Sequence, residues 1–597
     1  MTRLAINKII EALEEYNVVV GILPTGYGKS KFLFYNRKIF DDLGKVVHVL
    51  PLRSIVAKLA KDIKDIGDVG YQAGITVDEI DKTPFFTSKY TVATFDSFLL
   101  NFYGIPVSEI WRSNWHSDVA FTLARFSHVV LDEVHLVTTL EPIDDVDEEF
   151  RKVITVINDV VEWYCNIGFK TIIFTATLYP WLLKKIIPTK HLNKVKVVIY
   201  TPEEHQYYKN VINANQEIKV ENFWNENDEF YKKFKDYCEH VKTYIYFKNM
   251  DEVLAEVFNS SIKCRIAILF NSVKRCIEYF EKYKDKLQEK GFTTVIIHGK
   301  MTSEARSRAI DSIINESSLV LFGTQVIEAG IDIDFDILIT EVAPPHSLIQ
   351  RAGRIARYKL NNKHYEIHIV VGGDDLKSGV ERLCKGIYDE NEVITILKEL
   401  MKNSQKLNGK FVANINWRLP EKDENIDFLK ILCLTEEVKV EPSGEIQSFL
   451  AKLTHIRPGR KKALLKEIDE RFHGSFIRTS ALTSIYFGPF LCQFKDYFLN
   501  KYVIPVDLDF IKRHHEVLDL SKEGNIKIII IVDNNVQVEN GPHIYKFLKY
   551  PLSSLYEFLS KIRVKYFEIE EEHIKVLPLG LLGKKDFFDE KWGYIRW

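Results

Sequence analysis

Two glycines, a lysine and a serine follow a short apolar run near the start of the sequence, which reads VVVGILPTGYGKS. The end of this stretch matches the pattern G-x-x-x-x-G-K-[ST], although Leu23 stands where the first glycine is expected. Gly26 and Gly28 carry no side chain, so the backbone is free to turn its N–H groups toward phosphate oxygens. In such a loop Lys29 reaches the terminal phosphates of a nucleotide, and the Ser30 hydroxyl is a ligand for Mg²⁺.

Two adjacent acids end a second apolar run, FSHVVLDEVH. A buried strand here would deliver Asp132 and Glu133 to the carboxyl end of a sheet. A phosphate-binding loop needs such an acid to hold Mg²⁺, and we assign that role to Asp132, acting through water. We expect Glu133 to orient and deprotonate the attacking water, and His135 to couple this site to the next motif.

Small hydroxyl residues end a third apolar run, IIFTATL. Thr175 and Thr177 are placed to hydrogen-bond His135 or Glu133 and so to transmit the state of a bound nucleotide. An ordinary turn at the end of a strand explains the same residues equally well.

The densest group of arginines lies in the stretch QRAGRIAR. Arg354 and Arg357 are three residues apart, which places them on the same face of a helix, with Gln350 just before them. Arginine forks suit phosphate oxygens and stabilise the charge of a phosphoryl-transfer transition state. In nucleotide hydrolases such an arginine raises the rate by roughly 10³–10⁵. The three motifs and this stretch together predict ATP hydrolysis with Mg²⁺.

Apolar runs of strand length alternate with helical patterns over the first 370 residues or so, which predicts parallel sheets built from βαβ units. The clearest runs cover residues 45–51, 127–133, 170–177, 265–271, 293–299, 318–324 and 335–342. They form two sets, and only the first carries a glycine-rich loop. We predict an α/β protein with two tandem domains, 1–205 and 206–400, and a smaller accessory domain, 401–597.

The accessory domain has two local features. A basic cluster, Arg457, Arg460, Lys461 and Lys462, is predicted to be a solvated helix end, with DNA guidance or docking of a partner as the alternative. A hairpin is predicted in IKIIIIVDNNVQV, with Asn534 and Asn535 at its turn.

The composition is that of a globular protein. The chain has 597 residues, of which 46% are hydrophobic and 27% charged. It opens on a charged amphipathic stretch, and its longest apolar run is too short to cross a bilayer, so we expect a cytoplasmic protein without membrane contact. None of the seven cysteines forms a C-x-x-C pair, which favours buried free thiols. The formal net charge is −2, so any nucleic-acid surface must be a local groove.

The order of the motifs resembles that of superfamily 2 helicases, which hold ATP between two RecA-like domains. These motifs are LPTGYGKS, LPLRSI, TVATFDSF, LDEVH, TATL, ILFNSV, GTQVIEAGIDID and QRAGRIAR. More narrowly, the D-E-V-H box with TQVIEAGIDIDFDILITEVAP is similar to the helicase of type I CRISPR interference. That ATP-driven enzyme is recruited to an R-loop and unwinds, or translocates on, the displaced DNA strand. The resemblance covers residues 1–375.

The resemblance implies a set of site residues. ATP would lie against Thr25, Gly26, Gly28, Lys29 and Ser30 on one side, and against Arg354 and Arg357, with Asp332 nearby, on the other. Nucleic acid would contact the loop tips at Pro51, Arg53, Ser54, Thr94, Asp96 and Thr324. These contacts would be made to backbone phosphates and sugars.

Two departures from the family pattern bear on function. None of the 17 histidines is followed by aspartate, the dipeptide that marks the family's metal-dependent nuclease domain. We therefore expect a stand-alone helicase subunit that works with a separate HD-type nuclease and a CRISPR RNA-guided targeting complex. The glutamine that often contacts adenine upstream of the loop has no clear match, and Asn7 is the nearest candidate.

Two other functions remain open from the sequence. The motor motifs do not separate a DNA helicase from a D-E-x-H RNA helicase. A scaffold that binds an R-loop or partner proteins with an inactive ATPase is the third possibility, although the intact Lys29, Asp132, Glu133, Arg354 and Arg357 argue against it.

Overall fold

The structure is a computed structural model that describes residues 3–594, apart from residues 33–35, 37–41, 74–79, 84, 107–113, 139–145, 261–263, 329–332, 359, 361–362, 423–424, 457 and 568–575. Most of the segment that follows the phosphate-binding loop lies outside the described residues. Among those described there, Lys29–Lys31 form a short 3-10 turn.

The first sheet is entirely parallel in the described part of the chain. Its strands are β1 (Val18–Ile22), β2 (Val46–Leu50), β3 (Val69–Gln72), β4 (Asp81–Lys82), β5 (Tyr90–Thr94), β6 (His128–Asp132), β7 (Thr171–Thr175), β8 (Val195–Tyr200) and β9 (Lys219–Phe223). Their order across the sheet is β4-β3-β5-β2-β6-β7-β1-β8-β9. Strands β6, β7 and β1 are neighbours, so the three motifs that follow them meet at one edge of the sheet.

Helices cover this sheet, which explains why its central strands are apolar along their whole length. The described helices are Leu4–Glu15, Arg53–Ile63, Phe95–Phe102, Asn114–Arg125, His135–Thr138, Val146–Ile167, Leu183–Ile186, Gln206–Ala214, Glu229–Phe234 and Tyr237–His240.

The second sheet has six parallel strands and two antiparallel strands at one edge, counted over the described residues. The strands are β10 (Val241–Tyr246), β11 (Arg265–Leu269), β12 (Thr293–Ile297), β13 (Leu319–Gly323), β14 (Ile337–Glu341), β15 (Tyr365–Val370), β16 (Gln405–Leu407) and β17 (Lys410–Ala413). Their order is β12-β13-β11-β14-β15-β10-β17-β16. The helices are Met250–Ser260, Val273–Glu289, Ser303–Asn315, Pro345–Ala352, Leu376–Cys384 and Glu390–Lys402.

The remaining chain contains a mixed sheet with the order β21-β24-β23-β25-β20-β22. Its strands, with the short flanking pairs, are β18 (Ile415–Asn416), β19 (Ile426–Asp427), β20 (Leu482–Tyr486), β21 (Cys492–Gln493), β22 (Val503–Asp507), β23 (Asn525–Val532), β24 (Asn535–His543), β25 (Val576–Leu582), β26 (Phe588–Asp589) and β27 (Gly593–Tyr594). The helices are Phe428–Leu432, Gly444–His455, Leu465–Phe472, Tyr497–Tyr502, Leu508–Arg513, Ile544–Lys549 and Pro551–Phe567.

The predicted fold class is confirmed, since two large sheets with parallel strands are followed by a C-terminal region. The division into three domains stays a prediction. Strand β9 pairs with β8 beyond residue 205, and β17 pairs with β10 beyond residue 400, so limits drawn from the sheets would follow β9 and β17.

Two local predictions in the C-terminal region are wrong. The hairpin turn consists of Asp533 and Asn534, one residue earlier than predicted, because Asn535 already pairs with Val532. Both turn residues have positive φ (47° and 62°), a conformation that Asp and Asn tolerate in two-residue hairpins. Lys461 is not a solvated residue of the basic cluster. It is fully buried, and its ammonium donates to the Tyr103 carbonyl.

The cysteines described by the structure are free thiols. No helix within the described residues is long and apolar enough to cross a membrane.

Candidate functional site

A cleft with a volume of about 500 Å³ lies between the first and second sheets. Its lining brings together the phosphate-binding loop, one acid of the D-E-V-H box and the arginine stretch. The predicted site residues among those lining it are Thr25, Gly26, Gly28, Lys29, Ser30, Glu133, Gln350, Arg354 and Arg357. These residues lie as much as 332 positions apart in the sequence, so only the tertiary fold brings them together.

The phosphate-binding loop follows the buried strand β1. Gly26 and Gly28 have φ values of +82° and +103°, which a side chain would strain, so glycine is required at both positions. Lys29 is only 5% exposed and folds back onto the loop, where its ammonium donates to the carbonyls of Leu23 (3.2 Å) and Pro24 (3.3 Å). The same nitrogen lies 3.8 Å from Glu133 Oε1.

The acid pair occupies two different environments. Asp132 is fully buried, and His48 Nε2 lies 3.3 Å from its Oδ2. Burial alone would raise the pKa of Asp132, but the hydrogen bond and charge of His48, with Ser30 and Lys29, outweigh it and hold that pKa below its usual value. Burial raises the pKa of the Glu133 carboxyl, and the Asp132 charge adds to this against the opposing effect of Lys29. Asp132 therefore stays ionised while Glu133 becomes the stronger base.

Glu133 also has a strained backbone. Its φ is +51°, in the left-handed region that non-glycine residues rarely adopt. Its N–H donates to the Phe174 carbonyl on the neighbouring strand β7 at 2.8 Å, which helps to hold this conformation. Strain of this kind costs of order 1–3 kcal/mol and persists where the surroundings determine it.

His135 connects the acid pair to both sheets. Its Nδ1 lies 2.9 Å from Thr175 Oγ1 and 3.4 Å from Glu133 Oε2, and its Nε2 lies 3.5 Å from Gln350 Nε2. The Thr175 hydroxyl also accepts a hydrogen bond from the Thr177 N–H at 3.1 Å. Burial lowers the pKa of His135 well below its usual range, so the ring is neutral and suited to hydrogen bonding rather than charge pairing.

The arginine stretch forms the opposite wall of the cleft. The prediction that Arg354 and Arg357 share a helix face is wrong, because the helix Pro345–Ala352 ends before both of them. Arg354 is 3% exposed, and its guanidinium donates to the Glu328 carbonyl, while Arg357 is half-buried. A Cβ atom at Gly353 would lie 3.3 Å from Thr25 Cγ2, which shows how closely the two walls approach. Arg351, three residues before Arg354, donates to Thr340 on strand β14 and pairs with Glu328 at 2.8 Å.

Two residues that were predicted to lie near the nucleotide are not among the described residues that line the cleft. Asp332 lies outside the described residues. Asn7 is half-buried on the helix Leu4–Glu15, and the described lining of the cleft includes Arg3 rather than Asn7.

The cleft fits a nucleotide with magnesium. Asp132 carboxylate and Ser30 hydroxyl oxygens are the hard ligands that Mg²⁺ prefers. Thr25 Oγ1 and Glu133 Oε2 are buried, and neither has a hydrogen-bond partner among the residues that the structure describes. Lys29 and the two arginines supply positive charge on both sides, which suits phosphate oxygens.

Five of the six predicted nucleic-acid residues lie at or just after the carboxyl ends of β2 and β5 in the first sheet, and Thr324 follows β13 in the second sheet. Arg53, Thr94 and Asp96 line one cavity, and Pro51 lines the cavity beside it. The Thr94 hydroxyl caps the helix Phe95–Phe102. Ser54 is helical, with its side chain outside the described set, and Thr324 is buried at the end of β13. These contacts stay predictions.

The C-terminal region contacts two of these residues, Asp96 and Pro51, through hydrogen bonds from Arg478. Its Nε donates to Asp96 Oδ2 at 2.6 Å and its Nη2 to the Pro51 carbonyl at 3.0 Å, while the Ser475 hydroxyl donates to Asp96 Oδ1 at 2.8 Å. Burial raises the pKa of Asp96, but Arg478 and Ser475 more than offset this and hold it below its usual value. Asp96 is therefore an ionised partner of Arg478.

Sequence reasoning assigned no role to His48, Arg478 or Glu328. His48 had a usable signal, since it is a polar residue in the middle of the apolar strand β2 and a buried polar group needs a partner. Arg478 had none, because its partner Asp96 is 382 residues away.

Comparisons with known proteins agree with this geometry. Residues 3–186 match the DEAD/DEAH box helicase family, and residues 263–360 match the C-terminal family of the CRISPR-associated nuclease/helicase Cas3. Over these two stretches the chain is similar to DEAD/DEAH box helicases and to the C-terminal part of Cas3. The two matches contain the loop, the acid pair and the arginine stretch.

Individual relatives match over shorter stretches. The CRISPR-associated nuclease/helicase Cas3 of Methanothermobacter thermautotrophicus is 30% identical over 112 residues, covering 18% of this chain and 13% of the relative. The ATP-dependent RNA helicase HCA4 of Saccharomyces cerevisiae is 28% identical over 115 residues, covering 19% of this chain and 15% of the relative.

Solved structures share the fold over most of this chain. T. fusca Cas3 superposes with a TM-score of 0.57 at 12% identity, covering 88% of this chain and 65% of that chain. A chain of a CRISPR RNA-guided surveillance complex in a pre-nicking state superposes with a TM-score of 0.55 at 14% identity, covering 88% and 64%. This chain therefore covers less than two thirds of each of these relatives and structures.

Proposed function

We propose that this chain is an ATP-dependent helicase or translocase that acts on single-stranded DNA or R-loops in type I CRISPR interference. The observation that carries the proposal is the cleft between the sheets. It places the phosphate-binding loop and Glu133 opposite Gln350, Arg354 and Arg357. Hydrolysis that needs both walls can be coupled to the relative movement of the two sheets.

The residues of the cleft have complementary roles in this proposal. Lys29 leaves its carbonyl partners to bind the terminal phosphates. Asp132 and Ser30 would hold Mg²⁺, which would neutralise charge on the phosphates. Glu133 orients the attacking water and accepts its proton, as a partly buried carboxylate with a raised pKa is suited to do. Arg354 and Arg357 donate to the transferred phosphoryl group.

Coupling runs through His135 in the same proposal. The His135 ring nitrogens lie within 3.5 Å of Thr175 on the first sheet and of Gln350 on the helix Pro345–Ala352. His135 also lies 3.4 Å from Glu133, so a movement of the Glu133 side chain would alter contacts on both sides of the cleft. Each cycle would close and reopen the cleft, and the family resemblance implies movement along one strand in the 3′-to-5′ direction.

Three arginines support a nucleic-acid path next to Asp96. Arg53 begins the helix Arg53–Ile63 beside the first sheet, Arg306 lies on the helix Ser303–Asn315 beside the second sheet, and Arg478 lies in the C-terminal region. Burial lowers the pKa of Arg53 to about 10, and the nearby charges of Arg478 and Arg306 contribute to that shift against the effect of Asp96. Like charges gathered from three parts of the chain suit a phosphate backbone passing between them.

The partners belong to the proposal as well. We propose that a separate HD-type nuclease cleaves the DNA and that a CRISPR RNA-guided complex recruits this chain. The fold shared with a chain of a CRISPR RNA-guided surveillance complex supports the second partner. Adding both partners to an R-loop substrate should convert unwinding into degradation of the displaced strand, and unwinding alone in their presence would contradict this part.

The proposal is tested by ATP hydrolysis of the purified chain with single-stranded DNA, single-stranded RNA or no nucleic acid. Lys29→Ala should abolish turnover, because it removes the charge that binds the terminal phosphates. Lys8→Ala, on an exposed face of the first helix, is the matched control. Stimulation by DNA over RNA supports the proposal, and stimulation by RNA alone would favour an RNA helicase. Nucleotide binding without turnover in any mixture, including one with the partners, would favour the scaffold.

A further inference from the structure

Arg418 lies in the segment between β18 and β19, outside every motif of the sequence analysis. Its side chain is 1% exposed and reaches the boundary between the two sheets. Its Nη1 donates to the Thr25 carbonyl at 3.0 Å and its Nη2 to the Ile355 carbonyl at 3.4 Å. One guanidinium therefore bonds to the phosphate-binding loop and to the arginine stretch at the same time.

The first of these bonds fixes a peptide unit of the phosphate-binding loop. The Thr25 carbonyl and the Gly26 N–H belong to one trans peptide plane and point in opposite directions. Arg418 therefore sets the direction of the Gly26 N–H. Gly26 lines the cleft, and its N–H is one of the donors that a phosphate-binding loop turns toward the nucleotide.

The second bond fixes the peptide unit that precedes a strained residue. The Ile355 carbonyl shares its plane with the Ala356 N–H, and Ala356 has a φ of +48°, a left-handed conformation for a residue with a side chain. Arg357 follows directly and lines the cleft. Such a turn persists only where neighbouring groups hold it, and the Arg418 bond is one of these groups, beside the bond from the Arg357 N–H to Asp334 at 2.8 Å.

Arg418 itself is held by hydrogen bonds within its own turn and by the contact of the preceding residue with the second sheet. The N–H groups of Arg418 and Leu419 both donate to Asn416 Oδ1, at 3.0 and 2.8 Å. The preceding Trp417 is buried, and its indole N–H donates to Thr243 on strand β10 at 3.0 Å. The guanidinium also lies over the Phe234 ring, 5.1 Å from its centroid. Its position is therefore set by both sheets.

We propose that Arg418 is a positioning residue. It holds the Gly26 N–H and the Arg357 side chain in the relative positions that hydrolysis needs. It acts through the backbone of both walls and does not contact the nucleotide. The proposal rests on the proposed ATPase function. It predicts two separable effects, because the loop contact changes binding of the ground state while the aim of Arg357 changes the transition state.

The test replaces Arg418 by Lys, whose single ammonium nitrogen lacks the planar fork with which the guanidinium reaches the Thr25 and Ile355 carbonyls from two separate nitrogens. Losing one hydrogen bond of net worth ~1.4 kcal/mol corresponds to a fall of ~10-fold in kcat. We expect that fall together with a raised KM for ATP and a smaller increase of the melting temperature by ADP. Arg125→Lys is the matched control, because Arg125 is also 1% exposed but packs on Trp163 away from the cleft.

The outcomes separate this proposal from the proposed function. Equal losses of melting temperature in Arg418→Lys and Arg125→Lys, with kinetics and ADP response altered only in the first, support positioning. Unaltered kinetics and an unaltered ADP response in Arg418→Lys overturn it, even if Lys29→Ala is inactive. If the wild-type chain does not hydrolyse ATP, the proposed function fails. The increase of the melting temperature by ADP then tests the role of Arg418 by itself, and an equal increase in the wild type and Arg418→Lys would overturn that role.

A second variant covers the case in which Arg418→Lys does not fold. Ala356→Gly relieves the left-handed strain, so the chain should fold, but it loosens the turn that aims Arg357. We expect a lower kcat with an unchanged ADP affinity. An unchanged kcat would overturn the claim that this turn is held for catalysis.

Discussion

Replacing Glu133 by Gln removes one negative charge from the cleft with almost no change in shape. Glu133 Oε1 lies 3.8 Å from the Lys29 ammonium, so the acid competes with an incoming phosphate for that lysine. Two unit charges about 4 Å apart attract by about 4 kcal/mol at an effective dielectric constant of about 20. That figure is an upper limit on the attraction by which Glu133 opposes the binding of a phosphate to Lys29. Glu133→Gln removes this attraction. ATP should therefore bind the variant at least as tightly as the wild type.

Hydrolysis should fall steeply in the same variant. A glutamine can orient water but cannot accept its proton, and the loss of a general base typically costs ~10²–10⁴ in rate, or ~3–5 kcal/mol in the barrier. The combination of retained binding and lost turnover should trap the complex with nucleotide and nucleic acid.

Two assays on matched variants check this prediction. Phosphate release gives kcat, and titration with a non-hydrolysable ATP analogue gives Kd. Glu281→Gln controls for the loss of a charge. It removes a surface acid that pairs with Lys284 on the helix Val273–Glu289. A turnover within a few-fold of wild type in Glu133→Gln would refute the assignment of the proton acceptor. Loss of nucleotide binding would refute the argument about Lys29.

Three further predictions follow from the geometry. Thr175→Val removes the hydroxyl that lies 2.9 Å from His135 Nδ1, so ATP hydrolysis should persist while its stimulation by nucleic acid falls; unchanged stimulation would contradict the coupling role. Asp96→Asn breaks the ion pair with Arg478 and removes a negative charge beside the proposed path of the DNA strand. Single-stranded DNA should therefore bind more tightly at low salt, whereas weaker binding would favour a direct contact between Asp96 and the DNA. Burial lowers the pKa of Lys461 to about 7, so the unfolded chain binds the extra proton between that value and the ordinary pKa of lysine, and stability should rise with pH there. From pH ~7 to ~9 the wild type should gain up to about 3 kcal/mol relative to Lys461→Met, measured by thermal melts, and a pH-independent difference would contradict the lowered pKa of Lys461.

The parts of the fold that the sequence predicts are those set by local pattern. All seven apolar runs named in the sequence analysis contain strands, because buried parallel strands are continuous apolar stretches. The loop, the acids and the arginines were recognisable because each motif is contiguous, and their meeting in one cleft follows from the order of β6, β7 and β1 and the approach of the second sheet.

The parts that escaped prediction depend on contacts between distant segments. Arg418 bonds to a carbonyl 393 residues away, and Lys461 is buried against a carbonyl 358 residues away. A lone arginine or a basic run looks solvated in sequence, and only packing decides otherwise. The hairpin turn was misplaced by one residue because Asp533, Asn534 and Asn535 all suit a positive φ, and the register of the strands makes the choice.

The central claim is that ATP hydrolysis in this cleft drives movement along DNA. The most direct measurement is strand displacement from duplexes that carry a single-stranded tail at either the 3′ or the 5′ end, with ATP and with Lys29→Ala beside the wild type. The account predicts ATP-dependent displacement from the 3′-tailed DNA duplex by the wild type and none by Lys29→Ala. ATP hydrolysis without displacement of either duplex, or displacement that Lys29→Ala carries out equally well, would contradict it.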